Sequence, residues 1–325
     1  MQNQSTDGIL EEFRLEFLDC WRRVPNKGFF FVLLAAWVGL FQALGNSTLG
    51  FISSRSLLVW MWTCYHPTPT GDDGHGFVVP FLVAGILWWK RKELISLTLR
   101  TWWPALFLVG FGLFLHVLGY AVQQPRISVM GLFTGVYGLT GLTWGREWLR
   151  ASFFPFILFA FSVPLGTLSQ PITFRLRLIV CQIVEVISHF LSIDIVRIGT
   201  NLIDPTGHYQ YDVAPACSGI RSLVATLGLA LVYGVMSFRA WWKRGVLIAS
   251  AVPLAVIGNV VRLLTIVIAA EIGGQKWGDA VHEGGPGGIF SLLPYIPAFL
   301  GLLWLGNYLR EREAITVPTF EPKAA

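Results

Sequence analysis

Charge is what this sequence has least of. Only 13% of its 325 residues are Asp, Glu, Lys or Arg, about half the share carried by a soluble globular domain. At 54% hydrophobic, such a chain cannot cover its surface with groups that water accepts, which excludes a soluble globule and predicts an integral membrane protein. Cysteine is scarce as well: Cys20, Cys64, Cys181 and Cys217 form no CxxC pair and no zinc spacing, so no disulfide framework is expected. The chain lacks a Walker sequence and a dinucleotide fingerprint, and its "HEGG" at His282 is followed by Pro286 where a zinc protease needs a second His. Neither a metal nor an organic cofactor is expected. The net charge of +5 calls for no nucleic-acid partner, because Lys and Arg in cytoplasmic loops give multi-spanning proteins a basic balance.

What is abundant is apolar sequence in span-sized pieces. Eight stretches, 29–45, 77–90, 102–120, 128–145, 152–168, 216–237, 245–270 and 287–308, mostly approach the roughly 20 residues that cross a bilayer. The fold expected is all-α, a polytopic membrane bundle of about eight transmembrane helices. Residues 57–65, "LLVWMWTCY", are too short to cross and read as interfacial. Residues 8–24 mix acids and bases amphipathically and lack the core and cleavage site of a secretory signal. Residues 1–27 are therefore expected to form a cytoplasmic amphipathic segment, 28–309 the membrane domain and 310–325 a cytoplasmic tail. Sixteen of the 24 Lys and Arg flank one side of these stretches. Six lie on the other (Arg55, Arg126, Arg175, Arg177, Arg197 and Lys276), and Arg221 and Arg262 lie inside spans. The positive-inside rule then places both termini in the cytoplasm and the loops 46–76, 121–127, 169–215 and 271–286 outside.

That topology gathers three chemically capable residues on the outer side: Cys217 in "APACSGIRSL", Arg262 in "GNVVRLL" and His282 in "AVHEGGPGG". A lone Cys in an apolar helix is usually a small buried hydrophobe, and a loop His is usually solvated. Arg262 is harder to explain structurally, since a charge at the centre of a span costs about 2.5–3.5 kcal/mol. Pro215 suits the start of a helix. With the span beginning near Ala216, Cys217 sits in its first turn, where the helix dipole and nearby Arg221 favour the thiolate. Ser218 and Gly219 add little bulk around exposed backbone N–H groups, as an acyl-transfer site needs. His282 suits proton transfer. Arg262 suits charge stabilisation, and Asn259, three residues earlier on the same face, is placed to orient it.

These residues together, "ACSGIRSL", then "NVVR", then His before a Gly-rich turn, with "GHGFVVPFLVAGILWW" at 74–89 upstream, resemble the exosortase/archaeosortase family across roughly residues 75–305. The resemblance implies a multi-pass cysteine transpeptidase of the cytoplasmic membrane whose site faces outward. Its expected partners, besides the bilayer, are exported proteins ending in a sorting signal: a short motif such as Pro-Glu-Pro, an apolar helix and a basic cluster. The acyl acceptor is not specified. By the same resemblance Cys217, Arg262 and His282 take the catalytic roles. Gly74 stands where the family pattern has Ser before His-Gly.

Other residues have weaker claims. Arg175, Gln182, Glu185 and His189 are spaced along one helical face. The structural reading is an interfacial helix with a wet polar stripe; the functional one is a substrate groove with Glu185 and His189 near Cys217. His75 opens a span behind Asp72 and Asp73, which suit a helix N-terminus, and is a candidate for substrate binding. Two rivals stand against the enzyme. A transporter predicts half-to-half symmetry and mid-bilayer polar groups, which the sequence does not display, and a non-catalytic export or polysaccharide-assembly component tolerates Cys217→Ser.

Overall fold

The computed structural model describes residues 3–48, 52–66, 73–212 and 220–315. They divide into two units, one ending at residue 165 and the other starting at 166.

The first unit opens with α1 (Asn3–Arg23) and α2 (Lys27–Leu44). In α1, Phe13 and Phe17 pack tilted against Trp88, with ring centroids 5.0 and 5.9 Å apart, and Trp21 meets Phe31 at 5.8 Å. Residues 57–65 form a nine-residue helix, α3 (Leu57–Tyr65), capped by the Ser56 hydroxyl. Next come α4 (His75–Trp89), the short α5 (Arg91–Ser96), α6 (Leu106–Ala121), α7 (Pro125–Trp144) and α8 (Arg146–Ile157). The core of this unit packs Trp37 and Phe41 of α2 against Leu57, Trp60 and Met61 of α3 and Val129 and Leu132 of α7. The Trp37 indole N–H donates to the Leu132 carbonyl at 3.0 Å.

The second unit holds α9 (Gln170–Phe190), three short strands β1 (Val196–Ile198), β2 (Asn201–Ile203) and β3 (Gln210–Asp212), then α10 (Ile220–Ser237), α11 (Trp241–Gly273), α12 (Gln275–His282) and α13 (Tyr295–Ile315). The strands form an antiparallel sheet in the order β1-β2-β3, with Leu202 opposite both Arg197 and Tyr211. The all-α expectation is thus right for the membrane helices and incomplete for this small sheet. Val180, Cys181 and Val184 of α9 bury themselves with Leu202, Tyr209 and Tyr211 of the sheet and with Leu263, Ile266 and Val267 of α11. The apolar face of α9 is therefore taken up, at least in part, by protein.

Among the described residues, α2, α6 with its leading turn, α7 and α11 are long and apolar enough to cross a membrane, and a bent pair, Pro286–Leu292 with Tyr295–Arg310, makes a fifth candidate. The expected eight spans are not reached. The helices at 75–89 and 222–237 are apolar but shorter. The stretch 152–168 is no single helix: α8 ends at Ile157, a 3-10 turn follows over Leu158–Ser162, and Val163 is extended. Pro155 and Pro164 account for this, the first by removing a helical N–H and the second by restricting the residue before it. Cys20 and Cys64 are free thiols, and the Cys181 thiol donates to the Thr200 carbonyl at 3.7 Å.

Candidate functional site

Three expected site residues fall on the helix pair α11 and α12 or beside it. Gly274, with φ 71°, lies in the left-handed region that favours glycine. It ends α11 and turns the chain back as α12. The return brings the end of α12 alongside α11, and Arg262 Nη2 donates to the His282 backbone carbonyl at 3.3 Å. The Arg262 Nε–H is buried and has no hydrogen-bond partner among the described residues. A buried guanidinium donor left open is costly, so this one is a group with capacity for an acceptor. Asn259, expected to orient Arg262, accepts instead from the Ser222 hydroxyl at 3.3 Å, tying α11 to α10 one residue beyond Arg221. Cys217 and Ser218 lie outside the described residues, and so does the helix start expected near Ala216. Of Arg221, the backbone belongs to the first turn of α10.

The neighbourhood of His282 contains residues whose importance only the fold reveals. Tyr211 of β3 places its ring 6.4 Å from that of His282 and donates its hydroxyl to the Gln275 carbonyl at 3.0 Å. On one side of it Tyr209 donates to Glu271 at 3.0 Å. Between the two tyrosines, the Gln210 N–H donates to the Gln275 side chain at 2.9 Å. Tyr209, just before β3, and Gln210 and Tyr211 within it are thus fastened to the end of α11 and the start of α12, the helices that carry Arg262 and His282. The "HYQYD" stretch alternates in the manner of a strand, which is the one signal the sequence offers for this.

Gly278 is where α12 presses on Tyr211. A Cβ added there would stand 1.9 Å from the tyrosine oxygen and 2.9 Å from Ala270 Cβ. Gly278→Ala is expected to destabilise by about 1–3 kcal/mol, read as a lower thermal midpoint in detergent. Tyr211→Phe added to it removes the nearest clash and is expected to restore part of the loss.

Burial, and after it the Asp279 charge, push the Tyr211 phenol up from 10 to about 12. Burial and then Glu271 push Tyr209 up as well. A folded pKa above the unfolded value favours the protonated phenol, so the stabilisation is complete below pH 10 and disappears as pH rises through about 12. Alkaline titration followed by phenolate absorbance and circular dichroism is expected to show a loss of structure that is smaller in Tyr211→Phe. The turn before β3 has the opposite sign. The Thr206 hydroxyl, and then the backbone N–H groups of His208 and Thr206, hold the Asp204 carboxyl below its usual range.

Glu185 and His189 are engaged in holding α9 to β1. Glu185 accepts from Arg197 Nε at 2.8 Å and from the Arg197 N–H at 3.3 Å, while His189 Nε2 lies 3.0 Å from the Ile195 carbonyl. His75 belongs to the first unit, at the start of α4, and its Nδ1 is buried with no hydrogen-bond partner among the described residues. Asp73, expected to favour that helix start through the dipole, accepts the Leu165 N–H at 3.0 Å. Among the described residues no group of three His, Cys, Asp or Glu could hold a metal ion.

The long apolar helices mark a multi-pass helical membrane protein. The chain belongs to the transmembrane exosortase family, whose model matches residues 67–300. No match was found among curated proteins or among solved structures.

Proposed function

We propose that this exosortase is a cysteine transpeptidase of the cytoplasmic membrane, both termini inside, acting on exported proteins that carry a carboxy-terminal sorting signal. The observation that supports it best is Arg262, a part-buried guanidinium bonded to the His282 carbonyl, whose buried Nε–H has no hydrogen-bond partner among the described residues. Cys217 stands five residues after the end of β3 and three before α10. One flank of its segment is therefore fastened to the Arg262–His282 helix pair, and the other enters the helix tied to Asn259.

In the proposed reaction the Cys217 thiolate attacks the scissile carbonyl and forms a carbon–sulfur bond. Arg262 stabilises the oxyanion that develops. As the carbon–nitrogen bond breaks, protonated His282 gives its proton to the leaving amine. The thioester that remains is attacked by an acceptor nucleophile whose proton passes to His282, and the thiolate is released. Arg221 and Ser218 flank the nucleophile, with Asn259 positioning α10 against α11. Glu185 and His189 act on the substrate side through the α9–β1 platform, and His75 through the start of α4.

Co-expression with an exported reporter ending in Pro-Glu-Pro, an apolar helix and a basic cluster tests the reading. Shortening of the reporter, with a reporter–enzyme thioester seen by intact mass, is the expected result. No processing of that reporter or of any protein from the same genome bearing such a tail overturns it in favour of a non-catalytic assembly component or a transporter.

A further inference from the structure

A second feature lies in the first unit, among residues to which no catalytic role is assigned. Between α1, α2, α4, α5, α7 and α8 the structure forms an open cavity of about 540 Å³. Phe17, Trp21, Phe31, Trp88, Trp144 and Trp148 supply its aromatic walls, and Arg91 is the one charged residue among those that line it. Phe17 and Trp21 remain 44% and 42% exposed, so the lining is continuous with the outer surface of α1.

Arg91 is placed as a headgroup contact. Its guanidinium lies 4.5 Å from the Trp88 ring centroid. Nη1 donates to the Trp88 carbonyl at 3.0 Å and Nη2 to Glu16 at 2.5 Å, while Nε is buried with no hydrogen-bond partner among the described residues. Lys92 reaches the same Glu16 carboxylate at 3.9 Å and is 84% exposed. Lys90 pairs with Glu93 at 3.3 Å. Three consecutive cations thus face two carboxylates, and one positive charge is left in excess beside an aromatic cavity.

A polypeptide segment would bring backbone N–H and C=O groups that this lining cannot satisfy. A hydrocarbon chain brings none. We propose that the cavity holds one acyl chain of an anionic glycerophospholipid, with its phosphate facing Lys92 and the Arg91 guanidinium. The aromatic walls select for the chain, and the excess charge for the headgroup. The proposal concerns the resident lipid of the fold and is independent of the cysteine chemistry.

The test is native mass spectrometry of the delipidated full-length protein, titrated with dioleoyl phosphatidylglycerol or with dioleoyl phosphatidylcholine. Wild type is expected to retain one phosphatidylglycerol with roughly fivefold to tenfold preference over phosphatidylcholine. Ala84→Phe, which fills the cavity from an apolar helix face, is expected to lose most of the retention of either lipid. Arg91→Gln is expected to keep a lipid and lose the preference, a readout that does not depend on the cavity-filling variant folding. Equal retention of the two lipids by wild type overturns the proposal, as does phosphatidylglycerol binding by a correctly folded Ala84→Phe equal to that of wild type.

Discussion

Cys217→Ala, and equally Cys217→Ser, is expected to abolish reporter processing, by roughly 10⁴-fold or more, while the protein remains in the membrane at wild-type level. The serine variant carries the argument. It differs by one atom and packs alike, so a structural or transport role for residue 217 tolerates it. A thiol has a pKa of about 8.5, lowered further at a helix N-terminus or beside a cation, and so supplies a substantial thiolate fraction near neutrality. An alcohol needs a strong adjacent base to do the same work. Anti-reporter blots and intact-mass detection of the thioester read the result. Processing by the serine variant at more than a few per cent of the wild-type rate eliminates Cys217 as the nucleophile.

Arg262→Lys is expected to lower the rate of thioester formation by roughly 10²- to 10³-fold with little change in KM. Charge is retained in this variant, so the loss reports geometry. The guanidinium is a rigid fork that holds the His282 carbonyl with Nη2 and keeps Nε–H aimed elsewhere. An ammonium on a flexible stem is a point charge that cannot serve both directions at fixed angles. Arg262→Gln, which removes the charge as well, is expected to fall further. Single-turnover kinetics separates the outcomes: a pure KM effect places Arg262 in substrate binding rather than in transition-state stabilisation.

How much of this was legible beforehand depended on the range of the interactions involved. Apolar periodicity marks α2, α6, α7, α10 and α11 because each helix satisfies its own backbone and shows its lipid-facing surface locally. Arg262 was conspicuous for the same reason, a charge in an apolar run. The stretch 152–168 was read through, although Pro155 and Pro164 were in view, because hydropathy is blind to a missing N–H. Strands of three residues are too short to impose a pattern, so the sheet and the role of Tyr211 became visible only through partners more than 60 residues away, such as Gln275 and Glu271. Helical spacing assigns Asn259 to Arg262 and puts Glu185 on the polar face of α9. Their observed partners, Ser222 and Arg197, come from other elements of the fold.

The length of α11 has a consequence for the substrate. Arg262 stands 21 residues after Trp241 in a helix of 33, about 30 Å along the axis at 1.5 Å per residue, which equals the thickness of the hydrocarbon layer. With the exposed Trp241 and Trp242 moored among the headgroups of one leaflet, the guanidinium emerges at the far boundary. It thereby escapes the full cost of a charge in mid-bilayer. The helix acts as a ruler that sets the height of the chemistry. Under the proposed function, a polypeptide anchored by its own membrane segment presents a peptide bond at that height only where its chain leaves the lipid, and the distance of a bond from its anchor is expected to decide whether it is cut. Removing one turn between Pro253 and Arg262 would lower the site by about 5 Å and shift the preferred bond toward the anchor.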